Sequence, residues 1–206
     1  MILSDHATSF TLTHFPDLFR VVIPIDIDRF STLLSTHPNQ LFVDSIICGL
    51  CEGFWPPADD NPKLYANIRD FPERPLSPSS LAFAHSQYNE EEHLGCFSEL
   101  FATANNPLLP GMISVSVHMV PKKSGKLHLV VDHSAGDFSP NSHIARHDVH
   151  NDLDTVQHLG QNLVHFHHVH GHPPTWLFKS NVSQAYRCLP MHPAWQMWQV
   201  VIVDRV

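Results

Sequence analysis

Two clusters of side chains in this sequence have the types and spacing to hold a metal or move electrons. Histidines 165, 167, 168, 170 and 172 crowd one short stretch. If that stretch is helical, His158, Gln161, His165, His168 and His172 share one face, and His165 with His168, three apart, could share one Zn²⁺ or Ni²⁺. The other cluster is Cys48-Gly49-Leu50-Cys51, with the spacing of a redox pair or of half a zinc site. Neither is complete. No nearby carboxylate or cysteine finishes a tetrahedron around the imidazoles, a zinc site needs a second cysteine pair, and a redox pair needs its first cysteine at a helix start after a strand. The expectation is no resident metal, with Cys48 a small core residue and Cys51 an exposed thiol.

Hydrophobic period and punctuation locate the elements around these clusters. Residues 1–26 are poorly patterned and read as a frayed extension or an edge strand, and Asp28 to Leu34 as a turn or two of helix. Leu41, Phe42, Ser45, Ile46, Gly49 and Leu50 recur at helical spacing, so Gln40 to Phe54 is predicted as an amphipathic helix capped by Asn39 and stopped by Pro56 and Pro57. A proline-dense crossing over 55–80 leads to a second helix, Ser79 to Gly95, with Glu90, Glu91 and Glu92 on a wet face. Met112 to Pro121 alternates in character and Leu127 to Val131 comes after it, a hairpin whose tip, Lys122-Lys123-Ser124-Gly125-Lys126, is basic and contains a glycine. Val156, Leu159, Leu163 and Phe166 form a 3-4-3 stripe, which puts a helix over Asp154 to His170, ending near Gly171. Trp176 to Phe178 and Val200 to Val203 read as strands.

Composition bounds the function. The 206 residues are 43% hydrophobic, enough for one domain or a little more. No basic leader precedes an apolar run, and no apolar run is long enough to span a bilayer. With four cysteines and no secretion signal the expectation is a soluble intracellular protein, cytoplasmic or nuclear, with reduced thiols. Twelve Lys and Arg face 20 Asp and Glu, for a net charge of −8, so tight binding to a polynucleotide is not what the charge predicts. The 18 histidines against seven arginines are out of proportion.

Three blocks in register carry a resemblance. They are Leu109-Pro110-Gly111; Val120 to Ser134 with Asn141 after it; and Lys179-Ser180-Asn181-Val182-Ser183-Gln184-Ala185-Tyr186-Arg187-Cys188-Leu189-Pro190. Together, from about His37 to Val206, they resemble a retroelement reverse transcriptase of the fungal retrotransposon type. The resemblance implies an α+β fold, the fingers and first palm segment of a right-hand polymerase, incomplete in this chain. It divides the chain into an N-terminal extension (1–36), a fingers-like region (37–174) and the start of a palm (175–206). It implies an ancestral activity, RNA-directed DNA synthesis by nucleotidyl transfer with two Mg²⁺ ions, acting on a nucleic-acid template-primer and deoxynucleoside triphosphates.

Residue by residue, the resemblance places Asn181 where the family has a metal-binding aspartate, delivered by a buried strand at Trp176 to Phe178. Tyr186, five residues on, takes the position of the ring under the incoming sugar. Lys122 and Lys123 would meet the triphosphate as point charges. His128, four residues before Asp132, stands where the family has an arginine that forks onto phosphate, and Asp132 would position backbone. Two departures bear on activity. Asn181 offers a neutral amide oxygen where a hard divalent cation wants a carboxylate, and no hairpin with paired aspartates comes after it, the only later acidic residue being Asp204. The expectation is a chain that does not polymerise, even with Asn181→Asp.

The substitutions share a direction: histidine or cysteine for arginine (His128, Cys188, Cys51, Cys96 and some histidines near 165–170), and Asn181 for aspartate. Each is one transition from the expected codon. They point to a decayed element copy altered by cytosine deamination, which would produce the histidine excess and the acidic balance together. The alternatives are a non-catalytic module that binds nucleic acid or protein, and a metal-binding protein built on the histidine cluster.

Overall fold

The computed structural model describes residues 5–58, 76–101, 108–123, 125–136, 139–145, 155–177 and 188–202. Among these, six α-helices and a small three-stranded sheet make a mixed architecture compatible with the α+β class.

Within the first 26 residues, where a frayed extension or an edge strand is expected, the described part contains a helix and no strand. Asp5 caps α1 (His6–His14), its carboxylate accepting from the Thr8 backbone N–H at 2.9 Å and the Thr8 hydroxyl at 2.8 Å. The residues α1 buries are Thr8 and Thr11, and the Thr11 hydroxyl donates to the Pro110 carbonyl at 2.7 Å. Hydroxyls face inward where methyls usually do, so the helix has no apolar period. A short 3₁₀ turn, Pro16–Leu18, then delivers Phe19 into the core.

Helix α2 (Ile27–Leu33) is capped by Asp26 and α3 (Gln40–Glu52) by Asn39, whose side chain accepts from Phe42 N–H at 3.0 Å. The α3 face that packs is narrower than the expected stripe. Val43, Gly49 and Leu50 are buried, whereas Leu41 and Phe42 are exposed. Gly53 ends the helix ahead of the prolines, at φ +88°, and a Cβ there would run into the backbone of His192.

Helix α4 (Pro78–His93) starts from a Ser77 cap and closes at Gly95. Of its three successive glutamates, Glu91 is only 4% exposed. Its carboxylate accepts from Gln87 Nε2 at 3.0 Å, and its carbonyl takes the Cys96 N–H at 2.8 Å, so this residue closes the helix instead of solvating it.

Strands β1 (Ser114–Pro121) and β2 (Leu127–Asp132) pair antiparallel as the hairpin the alternation predicts. Strand β3 (Val200–Val201) lies parallel to β1 on its other side, giving the order β2-β1-β3. Just before β3, α6 (Pro193–Gln196) drops Trp195 into the centre of the core. Phe19, Leu108, Met112, Ile113, Ala194, Trp195, Met197, Trp198 and Val200 form that core, and Ile113 N–H donates to the Met197 carbonyl at 2.9 Å. The molecule is thus closed by the contact of 108–115 with 194–201.

Helix α5 (Val156–His170) ends where predicted and starts two residues later. Thr155 and His158 form a reciprocal capping box at its start, and Gly171 caps its end in the left-handed conformation. None of its residues is buried, so the 3-4-3 stripe does not dock on the described core. Trp176 and Leu177 are 87% and 70% exposed and not in a strand, which corrects the buried strand expected there. No helix among the described residues is long and apolar enough to cross a membrane.

Candidate nucleotide-contacting hairpin

The β1–β2 hairpin forms because valines and other β-preferring side chains alternate on both strands and a glycine turn joins them. Its register sets Ser116 opposite Asp132, His118 opposite Val130 and Val120 opposite His128. Those six residues share one face, since directly paired residues and every second residue along a strand lie on the same side. The Lys122 N–H donates to the Lys126 carbonyl at 2.7 Å and the Gly125 N–H to the Lys122 carbonyl at 2.9 Å, which folds the tip back on itself. Gly125 takes φ +79° with open space around it.

Lys122, Lys123 and Lys126 are exposed at this tip, three of the five lysines in an acidic chain. His128 is exposed too, on the face it shares with Asp132. The arrangement presents ammonium groups and an imidazole at the far end of the ribbon. Such a tip can meet an anion as separate point charges, and His128 cannot reproduce the planar fork of an arginine.

At the other end of β2 the polar residues are absorbed by turn geometry. Asp132 Oδ1 accepts from the Ser134 N–H at 3.0 Å, the backbone-positioning role expected of it. Asn141 donates from its amide to Ser134 Oγ at 2.8 Å and from its backbone N–H to the His133 carbonyl at 3.0 Å. His133 Nδ1 lies 3.3 Å from Gln199 Nε2, linking this turn to the residue before β3. Burial pushes the His133 imidazole below the ordinary histidine range, against the opposing pull of Asp132.

Asn181 and Tyr186 lie outside the described residues. The described part of the chain from Pro190 onward is firmly held. Phe54 N–H donates to the Pro190 carbonyl at 2.7 Å and His192 N–H to the Phe54 carbonyl at 3.0 Å, a parallel bridge between Phe54 and Met191. Gln196 Nε2 then donates to the Met191 carbonyl at 2.7 Å and to the Arg20 carbonyl at 3.2 Å. The sheet therefore brings the hairpin and the 190–201 segment onto one frame.

No family model, curated protein or solved structure matches this chain.

The histidine cluster lies on exposed α5 and just past its end, and the cysteine pair lies on the exposed side of α3. His165 and His168 border a shallow surface on α5 with Gln157, Gly160, Gln161 and Val164. Among the described residues no group of three or more His, Cys, Asp or Glu side chains is gathered closely enough to hold a metal. Cys48 is exposed and not a core residue; its thiol donates to Glu52 Oε2 at 3.5 Å, and that hydrogen bond raises its pKa, away from the thiolate a nucleophile needs. Cys51 is an exposed free thiol.

One local cluster has only a faint signature in the sequence. The His192 ring meets Trp55 edge-on at 5.1 Å, and Trp55 meets Trp195 at 5.9 Å. The available signal is His192-Pro193, a cap followed by the proline favoured at a helix's first position, with Trp195 and Trp198 at helical spacing behind it.

Proposed function

We propose that this chain derives from a retroelement reverse transcriptase, contains the fingers and first palm segment of a right-hand polymerase, and is catalytically inactive. The reading is supported by one observation above the others. A hairpin forms where the alternation predicts one, with Lys122 and Lys123 exposed at its tip and His128 on the face it shares with Asp132.

The donor set does not fit Mg²⁺. Position 181 supplies a neutral amide, and Asp132, the carboxylate in the neighbouring block, is turned onto the Ser134 backbone. What the hairpin retains is weak, salt-sensitive attraction for a phosphate chain, opposed by the net charge of −8.

Sequencing other copies of the locus tests the ancestry. The reading expects arginine at 128 and aspartate at 181 in intact copies, joined to this one by transitions at those codons, and a downstream hairpin with paired aspartates. Histidine and asparagine in every copy, without that hairpin, would sink it.

A further inference from the structure

The last turn of α5 and the residue after its cap bring two imidazoles together. Gly171 takes the left-handed conformation at φ +75°, and its N–H donates to the His167 carbonyl at 2.8 Å, so the chain turns back at the helix end instead of running on. His172 therefore lies beside His170. Their ring centres are 6.2 Å apart, and the Phe166 ring neighbours both, tilted against His170 at 4.3 Å and edge-on to His172 at 5.9 Å. One apolar ring thus holds the pair together at the helix end.

Hydrogen bonding fixes which nitrogen of His172 carries the proton. Its Nδ1 lies 2.8 Å from the Pro173 carbonyl oxygen, which can only accept, so Nδ1 is the N–H and Nε2 keeps its lone pair. A backbone carbonyl orients metal-ligating histidines in the same way. Two imidazoles on one ion, each with a metal–nitrogen bond of about 2.1 Å, have ring centres about 4.6–6.5 Å apart as the angle at the metal opens from square to linear. The observed 6.2 Å lies inside that range. Both side chains are exposed, so they can swing onto a common ion without disturbing the core.

We propose that His170 and His172 chelate one transition-metal dication, Cu²⁺ in preference to Ni²⁺ or Zn²⁺. Imidazole nitrogens without a carboxylate select this group over Mg²⁺ or Ca²⁺, and copper leads its order of affinities. The position favours a cation twice over: it is the negative end of a 15-residue helix dipole, in a chain of net charge −8. Among the described residues no group of three or more His, Cys, Asp or Glu is gathered there, so water fills the remaining positions and the ion exchanges readily.

The experiment titrates Cu²⁺ into the full chain by calorimetry at about pH 7.5, where imidazole is neutral. The first equivalent binds tightest, later ones more weakly, and the paramagnetic-resonance spectrum of the one-to-one complex shows coupling to imidazole nitrogen. His170→Gln and His172→Gln each remove the chelate and weaken that first site by about 100-fold. The double variant His165→Gln/His168→Gln, which removes the pair that helical spacing singles out, leaves it intact. All four side chains are exposed, so every variant keeps the far-ultraviolet spectrum of the parent chain. A titration with no distinct first equivalent overturns the proposal. So does a first site that survives His172→Gln, that the double variant weakens equally, or that takes Zn²⁺ more tightly than Cu²⁺.

Discussion

Gly53→Ala is the sharpest perturbation of this fold, and Gly125→Ala is its control. Both glycines have positive φ, +88° and +79°. At Gly125 a methyl group meets nothing within 4 Å, so the cost is backbone strain alone, about 1 kcal/mol. At Gly53 the conformation, with ψ 142°, lies near a region almost reserved for glycine, which costs about 1–3 kcal/mol. The added methyl also strikes the backbone of His192, which no rotamer change can relieve. Moving that backbone away breaks the two hydrogen bonds between Phe54 and the 190–192 segment, each about 1 kcal/mol net. The total is about 3–5 kcal/mol, a large share of the stability of a typical domain.

Urea unfolding followed by the emission of buried Trp195 and Trp198 reads this directly. With a slope of roughly 2 kcal/mol per molar, Gly53→Ala lowers the midpoint by about 2 M and Gly125→Ala by about 0.5 M. Equal shifts in the two variants would refute the reasoning, because they would mean that the Phe54–Met191 bridge carries no stability.

Thr11→Val replaces a fully buried hydroxyl and strands the Pro110 carbonyl; a loss of about 1–3 kcal/mol in the same urea assay is expected. Stability should fall as the medium is acidified: His133 and His192 both have pKa values lowered by burial, so below the ordinary histidine pKa the unfolded chain binds more protons than the folded one. Their contribution is full above about pH 6.5 and is lost as pH falls through the folded-state values, and His133→Gln should flatten that dependence in urea midpoints taken across the range. Asn181→Asp restores one carboxylate but no partner for it, and a Mg²⁺-dependent primer-extension assay of the variant should give no product. A product above the unmodified chain's background would show that a second metal-binding group exists in the chain.

The elements legible in the sequence are those whose local signals and tertiary roles agree. Asn39 caps α3 and Thr155 caps α5 through their own side chains, and the β1–β2 alternation survives because a hairpin needs only its two strands and its turn. Helix α1 is illegible because its inward residues are Thr8 and Thr11, which satisfy their hydroxyls on Asp5 and Pro110. Glu91 looks like a solvated residue among three glutamates, and only the fold gives it Gln87 and the Cys96 N–H. For α5 the period gives the helix and not its surroundings, since an amphipathic stripe specifies that something covers it without saying what. The basic hairpin tip is visible in Lys122, Lys123 and Gly125. The bridge from Phe54 to Met191 is not, because nothing local marks residues that meet so far apart in the chain.

That bridge sets the order in which the protein can form on the ribosome. The hairpin and the separate helices can appear as soon as their residues emerge, but the core cannot, because Phe19, Met112 and Ile113 wait for Trp195, Met197 and Trp198. The Gln196 amide finds the Arg20 carbonyl across 176 positions, and Phe54 is joined to Pro190 and His192 over a shorter but still long span. At about 5–20 residues per second, the early half of the core stays open for roughly 10–40 s of synthesis. During that interval the apolar 108–115 segment has no partner, and chaperones and proteases compete with folding for the nascent chain. A reading frame cut before about residue 190 omits Trp195, Met197 and Trp198, and the remaining chain cannot close this core.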